Sequence, residues 1–499
     1  MLVRTGGCVT SIDTDPAFAD RVRRAVVWRS GSQIVAQIVM WSATIVVVRL
    51  LDPSSYGLFA MTQVVSAIFI VFNGSGFASA LVQSDSVDDH RIAQVFGMMI
   101  LLNFMLAAIQ WAIAPLAAAH FHQPILADML RVLALCYFAM PLIQVPTAVL
   151  SRGLDFKKQA IANFTAAVGS AGTALYLAYS GFGVWTLVIT PLVMFYLRGF
   201  GLMFASRLWI RPSFDFRGAG STIAFGGALL VSQLLWVIQS QADMAIAGSQ
   251  FDPHRLGLYA EALFLTQILT SKFIPPLSEV AFPSYVELKN RGTTIAPAFV
   301  NTARLTMFVA APLYLGMAVT AAPFVETVFG LKWLEMIPFV QLLALAMPFF
   351  ALQIIFSPAT NAMGKPGIYV ATSAVGAVIL PAAFLIGIQY GALGLAYAWL
   401  VGAPLLLLLT MAISLPTIGA RARDIIGAVL PSALAAGVMA GMIWALSPIV
   451  EGLPAFVRLA FLVVTGAVIY LGISWILQRR TIEDLIGVWR TKRVISIAA

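Results

Sequence analysis

The chain has 499 residues, of which 60% are hydrophobic and 10% charged, and its formal net charge is +9. An average soluble domain is about 25% charged, so a chain this long and this apolar has too little polar surface to cover a water-facing fold. The positive balance does not point to nucleic acid, because that needs a basic face on a soluble module.

The first segment, 1–28, contains Asp13, Asp15 and Asp20 and lacks the apolar stretch of a cleaved secretory signal. Long apolar windows follow. Those at 29–51, 56–82, 92–117, 126–150, 159–180 and 183–205 each reach the ~20 residues that carry a helix across a bilayer. So do 221–248, 256–283, 295–322, 335–361, 366–388 and 392–416, then 425–447 and 456–478, before a basic tail at 479–499. The clearest stretch lies between Lys365 and Arg421, where no Asp, Glu, Lys, Arg or His occurs. Hydrocarbon cannot satisfy an exposed backbone, so each window reads as a helix or as part of a closed barrel. Barrel strands alternate over about 10 residues, and these runs are longer and apolar all round. The predicted fold is an all-α polytopic membrane protein of about fourteen transmembrane helices.

With that count both termini share one side, and most of the 30 Lys and Arg lie there, among them Arg21 to Arg29, Arg152 to Lys158 and Arg198 to Arg217. The other side holds Arg49, Arg131, Arg255, Lys332 and Arg458. Basic residues stay on the cytoplasmic side, which places both termini in the cytoplasm facing anionic lipid headgroups. The predicted outer loops are too short for a catalytic domain. His90, His120, His122 and His254 are scattered without metal spacing. There is no Walker sequence, and Cys8 and Cys136 imply no disulfide framework. The expectation is a protein that is not an enzyme and has no cofactor, driven by a proton or sodium gradient or by mass action.

A self-match organises the chain. Asp52-Pro53-Ser-Ser-Tyr-Gly57-Leu58-Phe59-Ala60 recurs 200 residues later as Asp252-Pro253-His-Arg-Leu-Gly257-Leu258-Tyr259-Ala260. A weaker match pairs Tyr179-Ser-Gly181-Phe-Gly183 with Tyr390-Gly391-Ala-Leu-Gly394. Spans 1–6 and 7–12 thus read as two copies of one unit in the same orientation. The expected domains are an N-terminal six-helix bundle, 29–211, and a C-terminal one, 212–420. Two further helices, 421–478, stand outside the repeat. Parallel repeats facing each other across the membrane normal are a transporter architecture.

With the repeat in place, the chain resembles the Wzx-type polysaccharide flippases, exporters of lipid-linked oligosaccharides in the MOP superfamily. The resemblance rests on Arg49-Leu-Leu-Asp52-Pro53-x-x-x-Gly57, Leu150-x-Arg152-x-Leu-x-Phe156-Lys157, Gly181-x-Gly183-x-Trp185 and Trp209-x-Arg211-Pro212. It continues through Asp243-x-x-x-x-Gly248, Gly257-Leu-Tyr259, Phe282-Pro283 and Phe329-Gly330-x-x-Trp333. It implies two six-helix bundles in a V around a central cavity that opens alternately to each side. It also implies a polyprenyl diphosphate-linked oligosaccharide as cargo in the inner membrane, with polysaccharide polymerase and glycosyltransferases as partners. Lipid II-type flippases and drug antiporters share the scaffold. A membrane glycosyl polymerase fits less well, for want of a large outer loop.

Ionisable groups inside spans are costly and mark functional positions or their partners. Lys272, near Pro275-Pro276, is the sharpest candidate to meet a diphosphate, followed by Arg304 and Arg49. Asp243 fits either ion coupling or an ion pair with a cation such as Arg49, and Glu279 either coupling or balance of nearby Lys and Arg. Gln37, Gln63, Gln233, Gln239 and Gln241 give the inner helices unusual polarity, suited to helix–helix hydrogen bonds or to sugar hydroxyls.

Overall fold

A computed structural model describes residues 31, 35–74, 77, 81, 88–153, 155–208, 211–215, 220–479 and 481–483, apart from the side chains of 220–232 and 269. The N-terminal segment, the acidic stretch around Asp85, Trp209 and the tail beyond 483 lie outside the described residues. So do Arg21 to Arg29, the start of the first span and the exact junction near 216–219.

Among the described residues every regular element is helical. In chain order these are α1 (Val35–Leu50), α2 (Pro53–Val71), α3 (Asp89–His120), α4 (Ile125–Ala134), α5 (Cys136–Arg152), α6 (Phe156–Tyr179) and α7 (Trp185–Ser206). Then come α8 (Gly220–Gln250), α9 (Pro253–Asn290), α10 (Ala296–Val328), α11 (Ile337–Ile354), α12 (Phe356–Ala362), α13 (Pro366–Gly387), α14 (Ala392–Ile418), α15 (Ala422–Leu446) and α16 (Ala455–Leu477).

Helix starts follow local chemistry. Pro begins α2 and α9, where its missing amide hydrogen is no loss. Asp88, Asp155 and Asp252 accept hydrogen bonds from the backbone amides of Arg91, Lys158 and Arg255 at the N-termini of α3, α6 and α9. Gly419 adopts a left-handed conformation, φ 80°, and ends α14. The predicted span 335–361 is broken at Ile355. Pro358 removes the amide that would bond to Ile354 and crowds its carbonyl, so the rod divides into α11 and α12. The span expected at 126–150 is likewise two rods, α4 and α5, meeting at Leu135.

Eleven helical stretches among the described residues are long and apolar enough to cross a membrane, which makes the chain a multi-pass membrane protein. The other three expected spans correspond to α1, which is shorter in its described part, to α8 and to α9. The last of these carries Glu261, Lys272 and Glu279 along its length.

Packing repeats across the two halves. In the first, α2 meets α4, α3 packs on α4 and α5, α5 on α7 and α6 on α7. In the second, α9 meets α11, α10 packs on α11, α11 on α14 and α13 on α14. Helices α15 and α16 lean on α10 from outside the repeat. Tyr470 donates to the Phe308 carbonyl at 2.7 Å, and Arg458 pairs with Glu326 at 2.8 Å. Between the halves, α2 packs on α8 and α9.

Candidate functional site

The two repeated Asp-Pro turns meet. A Cβ built on Gly57 would collide with the Pro253 carbonyl, and one on Gly257 with the Pro53 carbonyl. The helices cross at the one residue type that allows backbone-to-backbone approach. Around this crossing the halves are tied at one end. Arg49 donates to the Thr327 and Val328 carbonyls at the end of α10. Lys332 pairs with Asp52 at 2.8 Å. Trp333 Nε1 donates to the Val48 carbonyl at 3.0 Å, and its ring meets Tyr56 edge-on at 5.3 Å. Gly330, at φ 91°, turns the chain so that Lys332 and Trp333 reach back to the first half. Phe121 fills the space opposite Gly248. The Arg49–Gly57 and Phe329–Trp333 motifs, 280 residues apart at the Asp52–Lys332 contact, thus form one seal.

Below the seal lies a cleft of about 400 Å³ between α1, α2, α6 and α7 on one side and α8 and α9 on the other. Its polar lining includes Thr44, Tyr56, Gln63, Gln241, Glu261 and Gln267. Glu261 was passed over in the sequence reading, although an acidic residue about two turns into a span after Pro253 was visible as a costly group. It is half-buried. Among the described residues it makes no hydrogen bond or ion pair, so its carboxylate is available to whatever occupies the cleft.

Asp243 has a different role. It is fully buried beside the cleft and accepts from Tyr259 Oη at 2.8 Å, Trp399 Nε1 at 3.3 Å and the Met244 amide at 2.8 Å. Trp399 Nε1 also donates to Tyr259 Oη at 3.0 Å. The expected alternative, an ion pair between Asp243 and Arg49, does not occur: Arg49 lies in the seal, and donors from α9 and α14 surround the carboxylate. A buried carboxylate needs several such donors.

Lys272 is exposed and makes no ion pair or hydrogen bond among the described residues. It stands about three turns, ~16 Å, beyond Glu261 on the same face of α9, and its neighbour Ser271 lines a second cavity. Glu279 is exposed and has no ion pair among the described residues, so balance by nearby Lys and Arg is not seen. Arg304 is half-buried on α10 and lines neither cavity. Lys272 likewise lines neither cavity, so none of the three basic candidates touches the cleft. Among the described residues no group of three or more His, Cys, Asp or Glu could hold a metal ion.

Comparison with known proteins accords with this architecture. A family profile described as "Polysaccharide biosynthesis protein" matches residues 46–338. The chain is 26% identical over 275 residues to the teichuronic acid biosynthesis protein TuaB of Bacillus subtilis, covering 54% of this chain and little more than half, 56%, of that one. It is 24% identical over 387 residues to the succinoglycan biosynthesis transport protein ExoT of Rhizobium meliloti, covering 78% of each. The fold is similar to the lipid II flippase MurJ in an inward closed conformation, with a TM-score of 0.76 at 14% identity over 91% of this chain and all of that one. A multidrug resistance MATE family transporter of the MOP superfamily, inward-facing, matches with a TM-score of 0.61 at 15% identity, covering 79% of this chain and 98% of that one. With the family profile matching more than half of its length, the chain belongs to the polysaccharide biosynthesis protein family.

Proposed function

We propose that the chain is a flippase that carries polyprenyl diphosphate-linked oligosaccharide repeat units across the inner membrane, for capsule, exopolysaccharide or lipopolysaccharide synthesis. The observation that carries this reading is the cleft, with Gln63, Gln241, Glu261 and Gln267 in its lining, between two like-packed halves and closed at one end by the Gly57–Gly257 crossing. The positive-inside bias puts that closed end outward and both termini in the cytoplasm. The cleft then opens toward the leaflet where lipid-linked precursors are assembled. The bundles are 29–211 and 212–420, with 421–478 as accessory helices. Rocking them about the crossing exposes the cleft to each leaflet in turn, while the lipid tail stays in the bilayer. Lys272 meets the diphosphate near the mouth, and Glu261 and the cleft glutamines take sugar hydroxyls nearer the seal. No bond is made or broken, and a proton or sodium gradient or mass action drives the cycle. Polymerase and glycosyltransferases act on the same precursor on either side of this step.

Expression in a host whose own flippase has been deleted tests this reading: surface polysaccharide should return. A host that stays bare despite normal levels of membrane-inserted protein would refute it.

Glu261 favours one second reading, because a carboxylate in the cleft also suits a cationic small molecule exported by an antiporter on the same scaffold. That reading predicts raised resistance to cationic drugs in the same strain, with surface polysaccharide unrestored.

A further inference from the structure

A second cavity, of about 460 Å³, lies inside the C-terminal half, walled by α8, α9, α11, α12, α13 and α14. Its volume is in the range of small-molecule sites, about 300–1,000 Å³. Gln267 lines both this cavity and the central cleft, so the two adjoin. Its walls are unlike those of the cleft in one respect. None of the described lining residues carries a charge at neutral pH, yet hydroxyls and amides are dense, with Gln353, Thr372, Ser373, Thr410 and Ser414 among them.

Three of these groups lack the hydrogen-bond partner that buried hydroxyls and amides usually have. A buried Thr or Ser on a helix ordinarily donates to the carbonyl four residues back. Thr306 and Thr320 do so at 2.8 Å, to Thr302 and Gly316. Among the described residues Thr410 Oγ1 and Ser414 Oγ, one turn apart on α14, find no partner, and neither does Gln353 Oε1 on α11. All three residues are more than nine-tenths buried. Buried polar groups are nearly always bonded, and an unbonded one needs an explanation, of which a bound ligand is one. Trp236 and Phe350 add an aromatic part to the wall, their ring centres 6.3 Å apart and planes 21° apart.

Uncharged hydroxyl and amide groups around an aromatic plane match a ligand with many hydroxyls, a C–H face and no net charge. A diphosphate or uronate would find no counter-charge here, and an acyl chain would leave the hydroxyls unpaired. We infer that this cavity is a subsite for an uncharged pyranose ring of the cargo's headgroup, reached through the side of the cleft at Gln267. The inference rests on the flippase reading, and it adds a prediction about which sugars the protein accepts.

The test uses full-length protein in lipid nanodiscs and saturation-transfer NMR with methyl glucopyranoside, methyl galactopyranoside and the methyl glycoside of glucuronic acid. The neutral glycosides should receive magnetisation and the glucuronide should receive at least fivefold less. In the Thr410→Val/Ser414→Ala protein, transfer to the neutral glycosides should fall at least fivefold. Location is read without relying on that variant. With 5-fluorotryptophan incorporated, the Trp236 signal, assigned through Trp236→Phe, should shift on titration with the neutral glycosides. No transfer to any neutral glycoside, equal transfer to the glucuronide, or an unmoved Trp236 signal would each overturn the subsite. Surface export by the wild-type protein in the flippase-deleted host is scored alongside. Binding lost with export intact removes the subsite and leaves the flippase reading standing, whereas binding intact with export absent upholds a sugar site and removes that reading.

Discussion

Gly57 and Gly257 lie against each other's helices, each facing the carbonyl of the proline that begins the other one. Two residues related by the sequence repeat thus form a reciprocal crossing, and the halves are held apart by no side chain at that point.

Gly57→Ala is the first test of this crossing. The new Cβ meets backbone, which cannot rotate away as a flexible side chain can, so α2 and α9 must separate. Overpacking of this kind costs ~1–3 kcal/mol. A lower melting temperature in detergent and weakened export are expected, with Gly257→Ala behaving alike. Unchanged melting in both variants would show that the crossing is looser than the structure indicates.

The Asp52–Lys332 pair is exposed on both sides, so Asp52→Asn should change stability by no more than about 1 kcal/mol. A covalent link at the same place acts differently. Asp52→Cys/Lys332→Cys, bridged by a reducible bis-methanethiosulfonate reagent long enough to replace the lysine side chain, in a background lacking Cys8 and Cys136, should hold the seal shut and stop export, and a reductant should restore it. Export that continues through the crosslinked protein would mean that the seal need not open.

The Asp243 carboxylate ties α8 to α9 and α14 through Tyr259 and Trp399. Asp243→Leu leaves the Tyr259 hydroxyl without its acceptor, which costs ~1–3 kcal/mol for that buried group, while Trp399 Nε1 keeps Tyr259 Oη as its own. In a double-mutant cycle with Tyr259→Phe, the coupling should fall between ~0.5 and 3 kcal/mol. Coupling near zero would mean that the hydrogen bond adds nothing to the packing around it.

Lys272 makes no ion pair among the described residues, so its removal should leave folded protein unchanged. Lys272→Ala should lower surface polysaccharide at least tenfold. Lys272→Arg should retain part of the activity, since charge persists while a guanidinium replaces a point-like ammonium. Export and folded membrane protein are measured in the same cells, and normal export from Lys272→Ala would end the diphosphate assignment.

Much of the membrane architecture was legible because apolar length and backbone satisfaction leave helices almost no alternative. Asp52 and Asp252 announced the duplicated turns. Their contact was not legible, since nothing in a one-dimensional repeat says which copies touch. Arg49 illustrates the limit: as an isolated basic residue it suggested a cargo contact or a partner for Asp243. In the fold it binds the carbonyls that end α10, partners with no signature in the sequence. Glu261 was missed for the opposite reason. It is a costly group inside a predicted span, but only the crossing of α2 and α9 shows that it faces the cleft. The break at Ile355 was readable from Pro358, whereas the orphaned hydroxyls of Thr410 and Ser414 depend on tertiary packing alone.

The most direct measurement of the central claim follows a polyprenyl diphosphate-linked oligosaccharide in proteoliposomes containing the purified protein. Periodate added outside reports how much headgroup has reached the outer leaflet. Wild-type protein should expose headgroup steadily, and the Asp52→Cys/Lys332→Cys protein bridged by the reducible reagent should do so no faster than empty liposomes until the bridge is reduced. Wild-type exposure no faster than that of empty liposomes, or equal rates from the locked and unlocked protein, would contradict transport through a cleft that opens at this seal.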